Sequence, residues 1–158
     1  MNLEKLKAEY EKLRKKYNLP NFEEIDNEFE IRAIDLDKHG ILIKAILRTI
    51  LNKFGIFLNY LDPVINATGP SLHSMIEQQN LSEETKKEML DFYKVLSYNY
   101  HKICEIELED ERTTAEFLKG LWREWPRLKK KEKEFLGKIT STWKKGEEAA
   151  LKNTDYTG

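Results

Sequence analysis

The chain has 158 residues, of which 35% are charged and 40% hydrophobic, with seven glycines, four prolines and a formal net charge of -1. That length suits one domain with a substantial core, and the Lys/Glu/Leu-rich mix excludes disordered and fibrous classes. A single cysteine, Cys104, excludes an internal disulfide framework, and the near-neutral total argues against bulk coating of nucleic acid.

The charge is nevertheless unevenly spread. Residues 21–37 sum to -6 and residues 105–116 to -5, whereas residues 1–17 sum to +3 and residues 119–145 to +7. From the N-terminus, Leu3, Leu6, Tyr10, Leu13 and Tyr17 alternate spacings of three and four, a narrow apolar helical seam that ends before Pro20. The seam is expected to lie on the rest of the protein or on a twin chain, since two heptads are too few for an autonomous coiled coil. Acidic residues interleave this stretch and it has no apolar h-region, so no targeting segment is expected and the cytoplasm is the expected compartment. Asn21 with Glu24 reads as a capping pair for a short helix.

Gly40 to Leu61 is the most apolar stretch. Lys44, Arg48, Asn52, Gly55 and Asn59 fall on one stripe, so it is expected to be a core helix with one wet edge rather than a membrane span. Asp62-Pro63 is expected to end it or to start a new turn. A short helix follows from about Ser71 to Gln79, and Ser82 with Glu83 and Glu84 opens a long one whose apolar face runs through Met89, Phe92, Tyr93, Leu96, Tyr100 and Ile103. The alternating runs at 29–36 and 103–109 could pair as strands, but both are acidic, which favours helix or loop. Thr113 with Glu116 reads as a capping box for the last helical element, and Pro126 is expected to kink or divide it. From about Asn153 the chain reads as a loose polar tail.

Two stretches, KYNLPNFEEIDNEFEI and EFLKGLWREWPRLKKKEKEFLGKITSTW, resemble those of uncharacterised short Lys/Glu-rich all-helical archaeal proteins. The resemblance implies a small cytoplasmic helical protein and brings no catalytic residue with it.

Chemical signatures are sparse. His101 and Cys104 lie three apart beside Glu105 and could supply two metal ligands, but closed zinc sites want four and catalytic ones three plus water. His39 and His73 have no Cys or His within helical reach. The carboxylate runs at 23–30 and 105–111 read as solvated faces, because no Glu-x-x-His pair accompanies them. No nucleophile elbow or phosphate-loop glycine pattern occurs. No catalytic residue, metal or cofactor is therefore expected.

The remaining clue is the stretch from Leu121 to Trp143. On a helical wheel Leu121, Trp125, Leu128, Phe135, Ile139 and Trp143 share one sector. Arg123, Arg127, Lys130, Lys138 and Lys145 oppose them, Lys131 lies near the edge, and Trp122 sits at the boundary. The plain account is an apolar side in the core and a basic side in water. The functional account makes Trp122, Arg123, Arg127, Lys130, Lys131, Lys138 and Lys145 contacts for a macromolecular partner.

These readings converge on one all-α domain over residues 1–152, a bundle of five to seven helices with two long central ones, and a flexible tail over 153–158. The expected function is that of a non-enzymatic binding or adaptor protein acting through its C-terminal basic helix. The partner is another protein or a second copy, and no membrane insertion is expected. The alternatives are an RNA- or ribosome-associated factor using the same face for phosphate contacts, and an enzyme with an unrecognised helical site.

Overall fold

The computed structural model describes residues 3–35, 40–66 and 71–154. These residues form six α-helices and one 3-10 turn, with no strand: α1 Leu3–Tyr17, α2 Phe22–Phe29, the turn Ile31–Ala33, α3 Leu42–Ile65, α4 Leu72–Gln79, α5 Glu83–Ile106 and α6 Glu111–Thr154. The all-α expectation holds. Contacts group the chain into two compact units, Met1–Ile56 with Ser97–Pro126 and Phe57–Leu96 with Arg127–Gly158.

In the first unit, α1 stops where Asn18 adopts a left-handed φ of 54°, and the Leu19 N–H reaches back to the Arg14 carbonyl. That is the bonding of a Schellman stop, with asparagine in the place usually held by glycine. Leu6 and Tyr10 are fully buried, so the centre of the N-terminal seam is covered by the chain itself. The Tyr10 hydroxyl donates to the Pro20 carbonyl at 2.9 Å. Asn21 and Glu24 form the expected reciprocal capping box on α2.

Beyond α2, Glu30 takes a left-handed φ of 55° and a single 3-10 turn follows. The buried carboxylate of Asp26 holds this corner. It accepts the Arg32 backbone N–H at 2.8 Å and pairs with the guanidinium. Burial alone would raise the Asp26 pKa, but the Arg32 hydrogen bonds outweigh it and hold the carboxyl below its usual range. The 29–36 run is thus turn and extended chain up to residue 35. His39 and Leu36 lie outside the described residues.

The α3 stripe matches its expected edge. Arg48, Asn52 and Asn59 are exposed and Lys44 and Gly55 half-buried, while Ile43, Ile46, Leu47 and Ile50 are fully buried. Among the described residues no helix is long and apolar enough to cross a membrane. The acidic run after α5 is more than a solvated face. The Glu107 carbonyl accepts from Lys44 at 2.7 Å, its carboxylate pairs with Arg48, and Glu111 takes Lys16 at 2.8 Å and the Tyr17 hydroxyl at 2.7 Å.

Three boundaries differ from expectation. Asp62-Pro63 does not end α3, which runs on to Ile65. Helix α6 starts at Glu111, because the Asp110 carboxylate caps the Thr113 N–H at 2.7 Å and displaces the Thr113 box. Pro126 does not divide α6, which is helical over 44 residues. An interior proline costs about 3 kcal/mol, but each buried large side chain around it (Leu121, Trp125, Leu128) returns about 1.5–3 kcal/mol.

Candidate interaction surface

Helix α6 carries every residue of the basic face, and its buried side fixes which of them reach solvent. In the first unit Trp125 is 2% exposed, packs on Phe29 and Phe54, and donates its indole N–H to Glu28 at 2.8 Å. Lys53 lies 5.5 Å from the Trp125 ring centre and 5.6 Å from that of Phe29. Trp122 is half-buried, edge-on to Phe29 at 6.2 Å, so most of this boundary tryptophan is already engaged. Arg123 is exposed.

The basic residues of the second unit divide into two sets. Arg127, Lys130 and Lys145 are exposed. Lys131 and Lys138 are half-buried and fold over the buried Phe135 ring, with ammonium-to-centroid distances of 4.8 and 5.6 Å. Both also flank Glu134, at 3.4 and 3.6 Å, and reach Glu88 of α5, at 3.9 and 3.6 Å. The hydrogen bond from Lys131 holds the Glu134 carboxyl below its usual range. Seven residues apart, the two lysines lie on one stripe of α6, and α5 supplies the acid that neutralises them.

Between α5 and α6 of this unit runs an open groove of about 540 Å³. Phe92 and Val95 form its floor. Glu88 and Asp91 line the α5 side, and Arg127, Lys130, Lys131 and Glu134 line the α6 side. One wall is therefore acidic and the other predominantly basic, over an apolar base. Asp91 is exposed and pairs with Lys94 of its own helix at 3.1 Å.

Two features of this unit escaped the reading of the sequence. Glu132 is 2% exposed, and neither carboxylate oxygen has a hydrogen-bond partner. Burial pushes its pKa up to about 7. Its register with Leu128, Phe135 and Ile139 places it inside the apolar sector, and that spacing was the available signal. The second feature is Glu77 of α4, buried, which accepts the Trp143 indole N–H at 2.9 Å and lies 3.1 Å from His73 Nε2. The His73 and Trp143 rings stack at 4.6 Å. His73 and Glu77 stand four apart on one helix, the spacing that would have linked them.

His101 donates from Nδ1 to the Ser97 carbonyl at 2.7 Å and lies edge-on to Tyr100, and Cys104 is exposed. Among the described residues no group of three or more His, Cys, Asp or Glu side chains is placed to hold a metal ion.

At the end of α6, residues 143–150 are all exposed. Comparison with known proteins gives no family model that matches this chain, no matching curated protein and no matching solved structure.

Proposed function

We propose that this chain is a non-enzymatic binding protein that recognises a segment of a protein partner in the groove between α5 and α6. The observation that carries the reading is the groove's construction, an apolar floor of Phe92 and Val95 between walls of opposite charge. A phosphate backbone presents one sign of charge and favours an unbroken run of cations. Here Lys131 and Lys138 already face Glu88 and Glu134, and Asp91 stands on the opposite wall. A protein segment with both signs suits such walls better, because complementary charges set register and reject other partners.

The test is affinity isolation from the native cell at low and high salt, reading proteins and RNA together, with the native chain and a Lys130→Glu variant. The expected result is a protein retained by the native chain through high salt and reduced with the variant. RNA recovered at low salt and lost steeply with salt would overturn the reading in favour of the RNA-associated alternative.

A further inference from the structure

We infer that α4 is a strap that opens on its own while the rest of the second unit stays folded, baring Trp143 and the end of α3. The strap is independent of what occupies the groove. Helix α4 is inverted: the side chains it buries are Ser74 and Glu77, whereas Leu72 is 74% exposed and Met75 45%. Ile76 is half-buried, so no apolar side chain of α4 joins the core. By contrast α5 buries Met89, Phe92 and Leu96 in the same unit.

Among the described residues, the contacts that tie α4 to its neighbours are largely hydrogen bonds. A helix leaves its last carbonyls without partners of its own, and at the end of α3 the Ser74 hydroxyl donates to the Pro63 carbonyl. Gln78 Nε2 donates to that same carbonyl at 3.0 Å and to the Asn66 carbonyl at 3.2 Å. Towards α6, Glu77 accepts the Trp143 indole N–H and lies beside His73, whose ring stacks on that indole. Each such bond replaces one made to water, so its net worth is small beside that of a large apolar side chain leaving water. When the strap parts, the same groups turn to water and none is stranded. At eight residues α4 is too short to persist as a helix alone, so parting melts it and frees its amides.

Native-state hydrogen exchange on the full chain, resolved to single amides and repeated in low urea, tests this. The amides of residues 75–79 should exchange at least about 100-fold faster than those of residues 89–96, with little dependence on urea, because a local opening exposes little surface. Trp143→Phe and Ser74→Ala should each speed exchange in α4 about tenfold, the scale of one net hydrogen bond. Leu72→Gln, on the outward face, should leave it unchanged. Phe135→Leu alters the ring contact with Phe92, where α6 meets α5. It should speed exchange in α5 at least about tenfold without touching that of α4, because the strap opens with that contact intact.

Exchange in α4 no faster than in α5, or equally steep in urea, overturns the inference on the native chain alone, whether or not the variants fold. Leu72→Gln that speeds α4 as much as Ser74→Ala places the anchorage on the apolar side and also overturns it. So does Phe135→Leu if it speeds both helices equally.

Discussion

The Trp143 indole donates its N–H to the buried Glu77 carboxylate at 2.9 Å, joining α4 to α6 within the second unit. Glu77 also receives His73, whose ring stacks on the same indole. Trp143→Phe keeps the ring stack and removes the donor, leaving a buried carboxylate with one partner fewer. The expected loss is about 1–3 kcal/mol of stability, read by urea unfolding. A variant as stable as the native chain would show that the bond contributes nothing.

Glu132 makes stability depend on pH in an unusual direction for an acid. Its pKa is about 7 in the folded chain, against 4.5 for the ordinary value, so the folded state holds the proton more tightly. Its favourable contribution is complete below about pH 4.5, declines as pH rises towards 7, and is gone above that. Glu132→Met removes the charge while filling similar volume. The variant should be more stable than the native chain at pH 8, by about 1–3 kcal/mol, with the gap closing near pH 5. Thermal melts at the two pH values check the sign.

Asp26 gives the opposite slope. Its pKa is lowered in the folded chain by Arg32, so its contribution is present above the unfolded value and lost as pH falls through the folded one. Arg32→Ala strands a buried carboxylate and unties the left-handed corner at Glu30. A loss of about 2–4 kcal/mol is expected at neutral pH, together with a shallower fall in stability on acidification. Acid titration of the two proteins, followed by circular dichroism, measures both.

The exposed thiol of Cys104 gives a direct check on the outer face of α5. It should react fully with a disulfide reagent in the folded state, without denaturant. Protection until unfolding would place the residue in the core instead.

Much of the fold is legible in the sequence where local chemistry decides it. Asn21 and Glu24 cap each other through three residues of separation, and the α3 stripe follows from its period alone. Local rules fail where a competing donor or distant packing intervenes. Asp110 outbids Thr113 because a carboxylate at the turn reaches the free N–H first. Helix α6 passes Pro126 because its buried face outweighs one lost hydrogen bond. The basic face was legible as a stripe, but its partition was not. The placement of Glu88 adds a second acid to Glu134 beside Lys131 and Lys138, while Lys130 is left to solvent. Glu132 fails differently: its position was readable from the heptad-like spacing, while its lack of any partner depends on the neighbours that α6 meets.

Each of the two compact units is built from two separated lengths of chain, and neither is a continuous stretch. During synthesis the first unit stays incomplete until residues 97–126 have been made. The emerging N-terminal half must therefore wait without Glu107 and Trp125, the partners of Lys44, Arg48 and Phe54. A nascent chain in that condition is a natural client for chaperones. By the same logic, no cut at a single peptide bond releases either unit whole, so fragments for dissection have to be made by circular permutation or by co-expressing two pieces.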